Sequence, residues 1–222
     1  MDKKSDNAIC GVCGKGLTSR GIKRHLGSCL DKNIDKIVDQ TKQKSGVYHL
    51  RVEPGYRGST YWLHLAVDQN ITLKTLDDFL RNIWLECCGH MSAFFSGQTF
   101  ISDELPMSRK IGQVLEPGES LPYVYDFGSQ TDLIITALSS HSGKLKGKEK
   151  IAVLARNPEP EIMCDECSSN RAEYICQECT MDRDTGFLCP SCLEKHDCEE
   201  EMIVRVMNSP RSGVCAYGAE YI

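Results

Sequence analysis

Cys164-Asp-Glu-Cys167, Cys176-Gln-Glu-Cys179 and Cys189-Pro-Ser-Cys192, followed by His196, Cys198 and Cys215, form the stretch that decides how this chain is read. Two thiolates separated by two residues reach one tetrahedral ion, with the intervening amides turned toward the sulfurs. Zinc is the expected metal, and iron in a rubredoxin-like site is the chemical alternative, since tetrahedral thiolates suit both. A disulfide framework fits poorly, because Met1-Asp-Lys-Lys-Ser-Asp carries charges but no apolar run of a secretory leader. A thioredoxin-like redox motif needs one pair at a strand–helix junction, not three pairs in a loop-rich segment.

Nine candidate ligands exceed the eight that two closed tetrahedra require. Sequential pairing puts the first two Cys-x-x-Cys pairs on one ion. Cross-braced pairing joins the first pair to the third and the second to later ligands, in a B-box-like order. The gaps leave both open and lean slightly to the cross-brace. His196 and Cys198 are so close that one of them is the expected surplus. Cys215 is expected to rejoin the cluster through a turn at Pro210-Arg-Ser-Gly213.

Working outward, 222 residues suffice for one good core plus small satellites. No apolar run approaches membrane-spanning length, and a cytoplasmic protein is expected. Three segments emerge: residues 1–46, a zinc finger and linker helix; residues 47–158, a core domain; and residues 159–222, a cysteine-rich two-zinc module. Charge divides unevenly. Residues 1–46 carry ten Lys and Arg against five Asp and Glu, and residues 164–222 carry five against twelve.

The first segment places Cys10-Gly-Val-Cys13 eleven residues before His25-Leu-Gly-Ser-Cys29. The cysteines suit a tight knuckle. Thr18 or Ser19 can cap a helix running to about Leu30, on which His25 and Cys29, four apart, share a face. This resembles a C2HC zinc finger. So small a segment has little core of its own, so its ion is expected to supply most of its folding energy. Arg20, Lys23 and Arg24 on that helix are the candidate nucleic-acid contacts. Ile34, Ile37, Val38 and Thr41 predict a second short helix, followed by a linker over residues 42–46.

In the middle segment, Tyr48, Leu50 and Val52, then Tyr61, Leu63, Leu65 and Val67, alternate as a hairpin does. Thr72 caps a helix with Leu73, Leu76, Leu80, Ile83 and Trp84 as its buried stripe. Strands are expected over residues 91–96 and 99–101, and a short helix from Ser108. A second hairpin spans residues 121–127 and 131–138, and residues 151–154 add an edge strand. Together these predict an α+β fold, β-grasp-like in the middle and flanked by small zinc-binding modules.

Residues 62–67, Thr72-Leu73-x-x-Leu76, Trp84, His90-x-x-x-Phe94 and Tyr123-Val-Tyr-Asp-Phe-Gly128 resemble the plasmid pRi open-reading-frame-three-like family over residues 47–140. Where that family shows Trp-Arg-Arg, this chain has Trp62-Leu-His64. The resemblance implies the fold and an association with plasmids and mobile elements. It implies no particular activity, since none is assigned to that fold.

Cys87-Cys-Gly-His90 is the one cluster in the middle segment that invites a nucleophile–base reading. The residues lack spaced partners, so they are expected to be neither ligands nor catalytic. His49 and His64 are expected to cap or pack. Phosphate-cradling glycine loops and hydrolase elbows are absent from the sequence. Closed metal sites favour a zinc-binding, non-catalytic adaptor, with nucleic acid as the partner of residues 1–46 and protein as the partner of the acidic C-terminal module. The alternative is an enzyme of unknown reaction with its site near Cys88 and His90.

Overall fold

The structure is a computed structural model that describes residues 7–42, 45–97 and 99–219. The leader reading at residues 1–6 and part of the 42–46 linker lie outside them. The chain divides into two compact units, Met1–Leu80 with Met91–Pro158, and Arg81–His90 with Glu159–Ile222. Helices and strands are mixed, and strands predominate.

The first unit opens with a two-stranded ribbon, β1 (Ala8–Ile9) and β2 (Gly16–Leu17), and then helix α1 (Ser19–Ile37). Thr18 accepts a hydrogen bond from the Gly21 amide, the cap its position predicts. α1 is kinked at Asn33, where φ is −130°. The second helix expected through Thr41 stops sooner. Val38 turns extended and begins β3 (Val38–Asp39), and the Asp39 carboxylate captures the Thr41 amide and hydroxyl. A short polar side chain offering the backbone another partner ends a helix in this way.

The main sheet contains β4 (Gly46–Pro54), β5 (Leu63–Asp68), β6 (Ser92–Phe95), β7 (Glu104–Leu105), β8 (Ser120–Tyr125), β9 (Thr131–Ser142) and β11 (Ile151–Arg156). Its order is β11-β5-β4-β9-β8-β6-β7, with every pairing antiparallel. β10 (Lys144–Leu145) pairs instead with β3. The strand expected over residues 99–101 is a turn, and β6 pairs with β7 on one side and β8 on the other. Gly97 at φ +79° turns the chain there, and Ile101 is left 96% exposed. The helix expected from Ser108 is a single tight turn, Ile111–Gln113.

Helix α2 (Leu73–Leu80) follows Thr72, whose hydroxyl accepts the Thr75 amide. It buries Leu73, Leu76 and Leu80 together with Asp77. The Asp77 carboxylate accepts hydrogen bonds from Ser92 at 2.6 Å and Tyr123 at 2.7 Å, which anchors α2 to β6 and β8.

Every residue of β5 is buried, although only alternate positions read as core in the sequence. The reason is that α1 covers the second face. Ile22, Leu26 and Leu30 pack in one cluster with Trp62, Ala66, Leu154 and Ala155. The Gly11 amide donates to the Leu154 carbonyl at 2.7 Å. A Cβ at Gly11 would lie 2.9 Å from the Val153 carbonyl oxygen, so only glycine allows this approach. The N-terminal segment therefore shares a core with the sheet, so it has apolar packing to stabilise it besides whatever an ion would contribute.

The second unit has a small sheet, β13-β12-β14, from β12 (Tyr174–Cys176), β13 (Phe187–Leu188) and β14 (Ile203–Arg205). Helices α3 (Gln177–Arg183) and α4 (Pro190–Leu193) complete it, with the wide turn Arg81–Leu85 that carries buried Trp84. Ser209 donates to the Trp84 carbonyl and accepts from the Arg211 amide.

Candidate metal centres

All thirteen cysteines are free thiols, and every one of them falls in one of four four-residue groups. The groups are Cys10, Cys13, His25 and Cys29; Cys164, Cys167, Cys189 and Cys192; Cys176, Cys179, His196 and Cys198; and Cys87, Cys88, His90 and Cys215. Within each group the ligand atoms lie within 4.8 Å of one another. Each group could hold a metal ion.

Distances within the groups match the edges of a thiolate tetrahedron. Bonds of about 2.3 Å to sulfur and 2.0 Å to imidazole imply edges of about 3.8 Å between sulfurs and 3.5 Å from nitrogen to sulfur. Cys10 and Cys29 sulfurs are 3.9 Å apart, Cys167 and Cys189 3.9 Å, Cys179 and Cys198 3.6 Å, and Cys88 and Cys215 3.5 Å. His196 Nε2 lies 3.5 Å from Cys179, and His25 Nε2 lies 3.3 Å from Cys13. A disulfide would need about 2.0 Å.

Electrostatics point the same way. Two thiolates side by side repel, so in each group some thiols are forced to keep their protons. Burial, then Cys13 and Cys10, push Cys29 up to about 12. Cys189 chiefly pushes Cys192 to about 12, and Cys179 chiefly does the same to Cys198. Others are pulled down. The Lys15 amide, then His25, hold Cys13 near 6. Burial raises Cys164, but the amides of Cys167, Cys189 and Glu166 outweigh it and bring the thiol to about 6. A divalent cation removes this repulsion and allows all the sulfurs to ionise.

The first group is built by a ββα arrangement. The knuckle between β1 and β2 turns at Gly14, φ +75°, and α1 presents His25 and Cys29 one turn apart. The basic residues Arg20, Lys23 and Arg24 are all exposed. Lys23 is committed within the unit, 2.7 Å from the Glu53 carboxylate and 5.5 Å from the Trp62 ring centre.

The second and third groups have the cross-braced pairing. The first Cys-x-x-Cys pair meets the third pair, and the second meets His196 and Cys198. Neither His196 nor Cys198 is surplus: both belong to the group of Cys176 and Cys179, on chain that has left α4 and carries no helix at residues 196–197. Glu166, from the first knuckle, lies 3.5 Å from His196 Nδ1, which leaves Nε2 for the sulfurs. Cys176 chiefly, with Glu166, raises the His196 pKa. A carboxylate behind a ligating imidazole is the usual way its tautomer is fixed.

Cys215 does not join these groups. It sits with Cys87, Cys88 and His90, which the sequence reading had set aside for want of partners. His90 Nε2 is 3.0 Å from the Cys88 sulfur and 3.5 Å from the Cys215 sulfur. The missing partner came from 127 positions along the chain, a distance no local spacing rule spans. The signal available was arithmetic, because one ligand too many in the C-terminal segment belonged elsewhere.

His49 and His64 form no metal group. They are buried on β4 and β5, with Nε2 of His49 2.8 Å from Nδ1 of His64. Burial, ahead of nearby charges, holds His49 down at about 4 and His64 at about 3.

No family model matches the chain, and no curated protein matches it. It is similar, at 16% identity and a TM-score of 0.43, to the crystal structure of a protein of unknown function, MM3350, from Methanosarcina mazei Go1, over 50% of this chain and 69% of that one. Among the described residues, no helix is long and apolar enough to cross a membrane.

Proposed function

We propose that this chain is a zinc-held, non-catalytic interaction protein. One observation carries the reading: every cysteine belongs to a four-ligand group, and a closed group leaves no position for water or substrate. Catalytic zinc keeps a position open, and structural zinc does not. Zinc is preferred to iron because three of the four groups mix imidazole with thiolate, a donor set that zinc takes readily. Cys88 and His90, the nucleophile–base pair of the enzymatic alternative, both have their reactive atoms turned toward Cys215.

The partners follow from charge. The C-terminal segment carries a net −7, and it suits a protein with a basic surface better than a polyphosphate. Nucleic-acid contact through residues 1–46 would run through Arg20 and Arg24, since Lys23 is already paired. The likeness of residues 47–140 to the plasmid pRi open-reading-frame-three-like family makes a mobile-element setting part of the proposal. The test is chelation followed by circular dichroism. Stripping the metal should unfold the second unit, and zinc should restore it. An apo protein that keeps its full signal and melts unchanged would refute the structural-zinc reading.

A further inference from the structure

The four groups are not equivalent. In the three that contain Cys-x-x-Cys pairs, at least two ligands are buried. In the group of Cys87, Cys88, His90 and Cys215, none is; Cys88 is exposed, as Cys13 is in the first group, but here no buried ligand accompanies it. The knuckle groups also aim backbone amides at sulfur: Lys15 at Cys13, Ser169 and Asn170 at Cys167, and Cys179 at Cys176. Adjacent cysteines cannot build such a knuckle. At Cys88, the neighbours of the sulfur are instead the other members of the group, His90 Nε2 at 3.0 Å, Cys215 at 3.5 Å and Cys87 at 3.6 Å.

The backbone of this group is nonetheless arranged. Gly89 at φ +78° folds the chain so that His90 returns to Cys88. Glu86 accepts the Gly89 amide at 2.6 Å, and Arg81 pairs with Glu86 and donates to the His90 carbonyl at 2.6 Å. Arg211, buried, reaches the Cys87 sulfur at 3.5 Å. Cys215 itself is held at φ +53°, a conformation that residues with a Cβ rarely adopt. A strained residue persists where its surroundings determine it. Here the strained residue is the one that closes the tetrad.

We propose that Cys87, Cys88, His90 and Cys215 form a fourth metal site of a different kind, an exchangeable one for a borderline-to-soft divalent cation such as zinc, which joins Arg81–His90 to the C-terminal segment within the second unit. It rests on the metal reading of the other three groups. Open ligands allow a chelator or a competing thiol to attack the ion directly, and although the Ala216 amide is aimed at Cys215, the Cys88 sulfur is set among other thiols rather than in a cradle of amides. Outer-shell partners of this kind are worth about 10- to 100-fold in metal affinity, so exchange should be faster here by at least about tenfold.

The experiment is native mass spectrometry of the intact chain, purified without added metal and then incubated with isotopically enriched zinc. Four ions are expected, one of which exchanges at least about tenfold faster than the rest. Alkylation after brief chelation should mark Cys87, Cys88 and Cys215 before any other cysteine. Cys215→Ser should hold three ions, and so should Cys88→Ser, which alters an exposed side chain and leaves the strained position intact. Three tightly held ions in the unaltered chain or four retained in both variants would overturn the fourth site, and four exchanging together would overturn its exchangeable character; each leaves the other three standing. A chain that binds no metal would overturn the proposed function as well.

Discussion

Truncating Leu26 to alanine tests whether the N-terminal finger and the sheet are one folding unit. Leu26 is fully buried in α1, in the same cluster as Trp62, Ala66 and Leu154. Removing a leucine side chain from such a site costs about 2–5 kcal/mol, made up of lost transfer energy and a residual cavity. For a unit of this size each kcal/mol lowers the melting temperature by about 2–4 °C, so the drop should lie between about 4 and 20 °C. The assay is thermal unfolding of the zinc-loaded protein with hydrogen exchange read residue by residue. Because the cavity opens in a shared core, amides of β4, β5 and β11 should lose protection together with those of α1. If α1 alone loosens while the sheet amides exchange as before, the finger is an appendage and the shared core is refuted.

Other outcomes follow from the same geometry. Glu166→Ala should weaken zinc at Cys176, Cys179, His196 and Cys198 by about 10- to 100-fold, read by competition with a chromophoric chelator, because His196 loses the carboxylate behind it. Asp77→Ala removes the carboxylate that accepts from Tyr123 and Ser92 and should cost about 1–3 kcal/mol in urea unfolding. The folded pKa values of His49 and His64 lie below the unfolded value of about 6.5. The unfolded chain therefore binds more protons, and their contribution is present above pH 6.5 and lost as pH falls toward 4 and 3. Their imidazole resonances should accordingly stay fixed between pH 7.5 and 5.5, and movement there would contradict the buried neutral pair. Arg20→Glu with Arg24→Glu should abolish any salt-dependent nucleic-acid binding of the intact chain, while Lys23→Ala leaves its affinity within about twofold.

Much of this was legible locally. The Cys-x-x-Cys pairs, the Thr18 and Thr72 caps and both hairpins are short-range signals, set by periods of two and 3.6 and by residues that satisfy free helix amides. What the sequence hid was long-range. Trp62, His64 and Ala66 alternate with the obvious core of β5, and only the arrival of α1 on their side makes them core as well. The order His196-Asp-Cys198 looked too tight for two ligands on one ion, yet both side chains reach the group of Cys176 and Cys179. Cys87 and Cys88 looked partnerless because Cys215 lies at the far end of the chain, held in a left-handed conformation that spacing cannot announce.

X-ray absorption at the zinc edge tests the central claim most directly. Thirteen thiolates and three imidazoles shared among four ions predict, per zinc, about 3.25 sulfurs near 2.3 Å and 0.75 nitrogens near 2.0 Å, four-coordinate throughout. A first shell dominated by oxygen and nitrogen, or five- and six-coordinate, would contradict it.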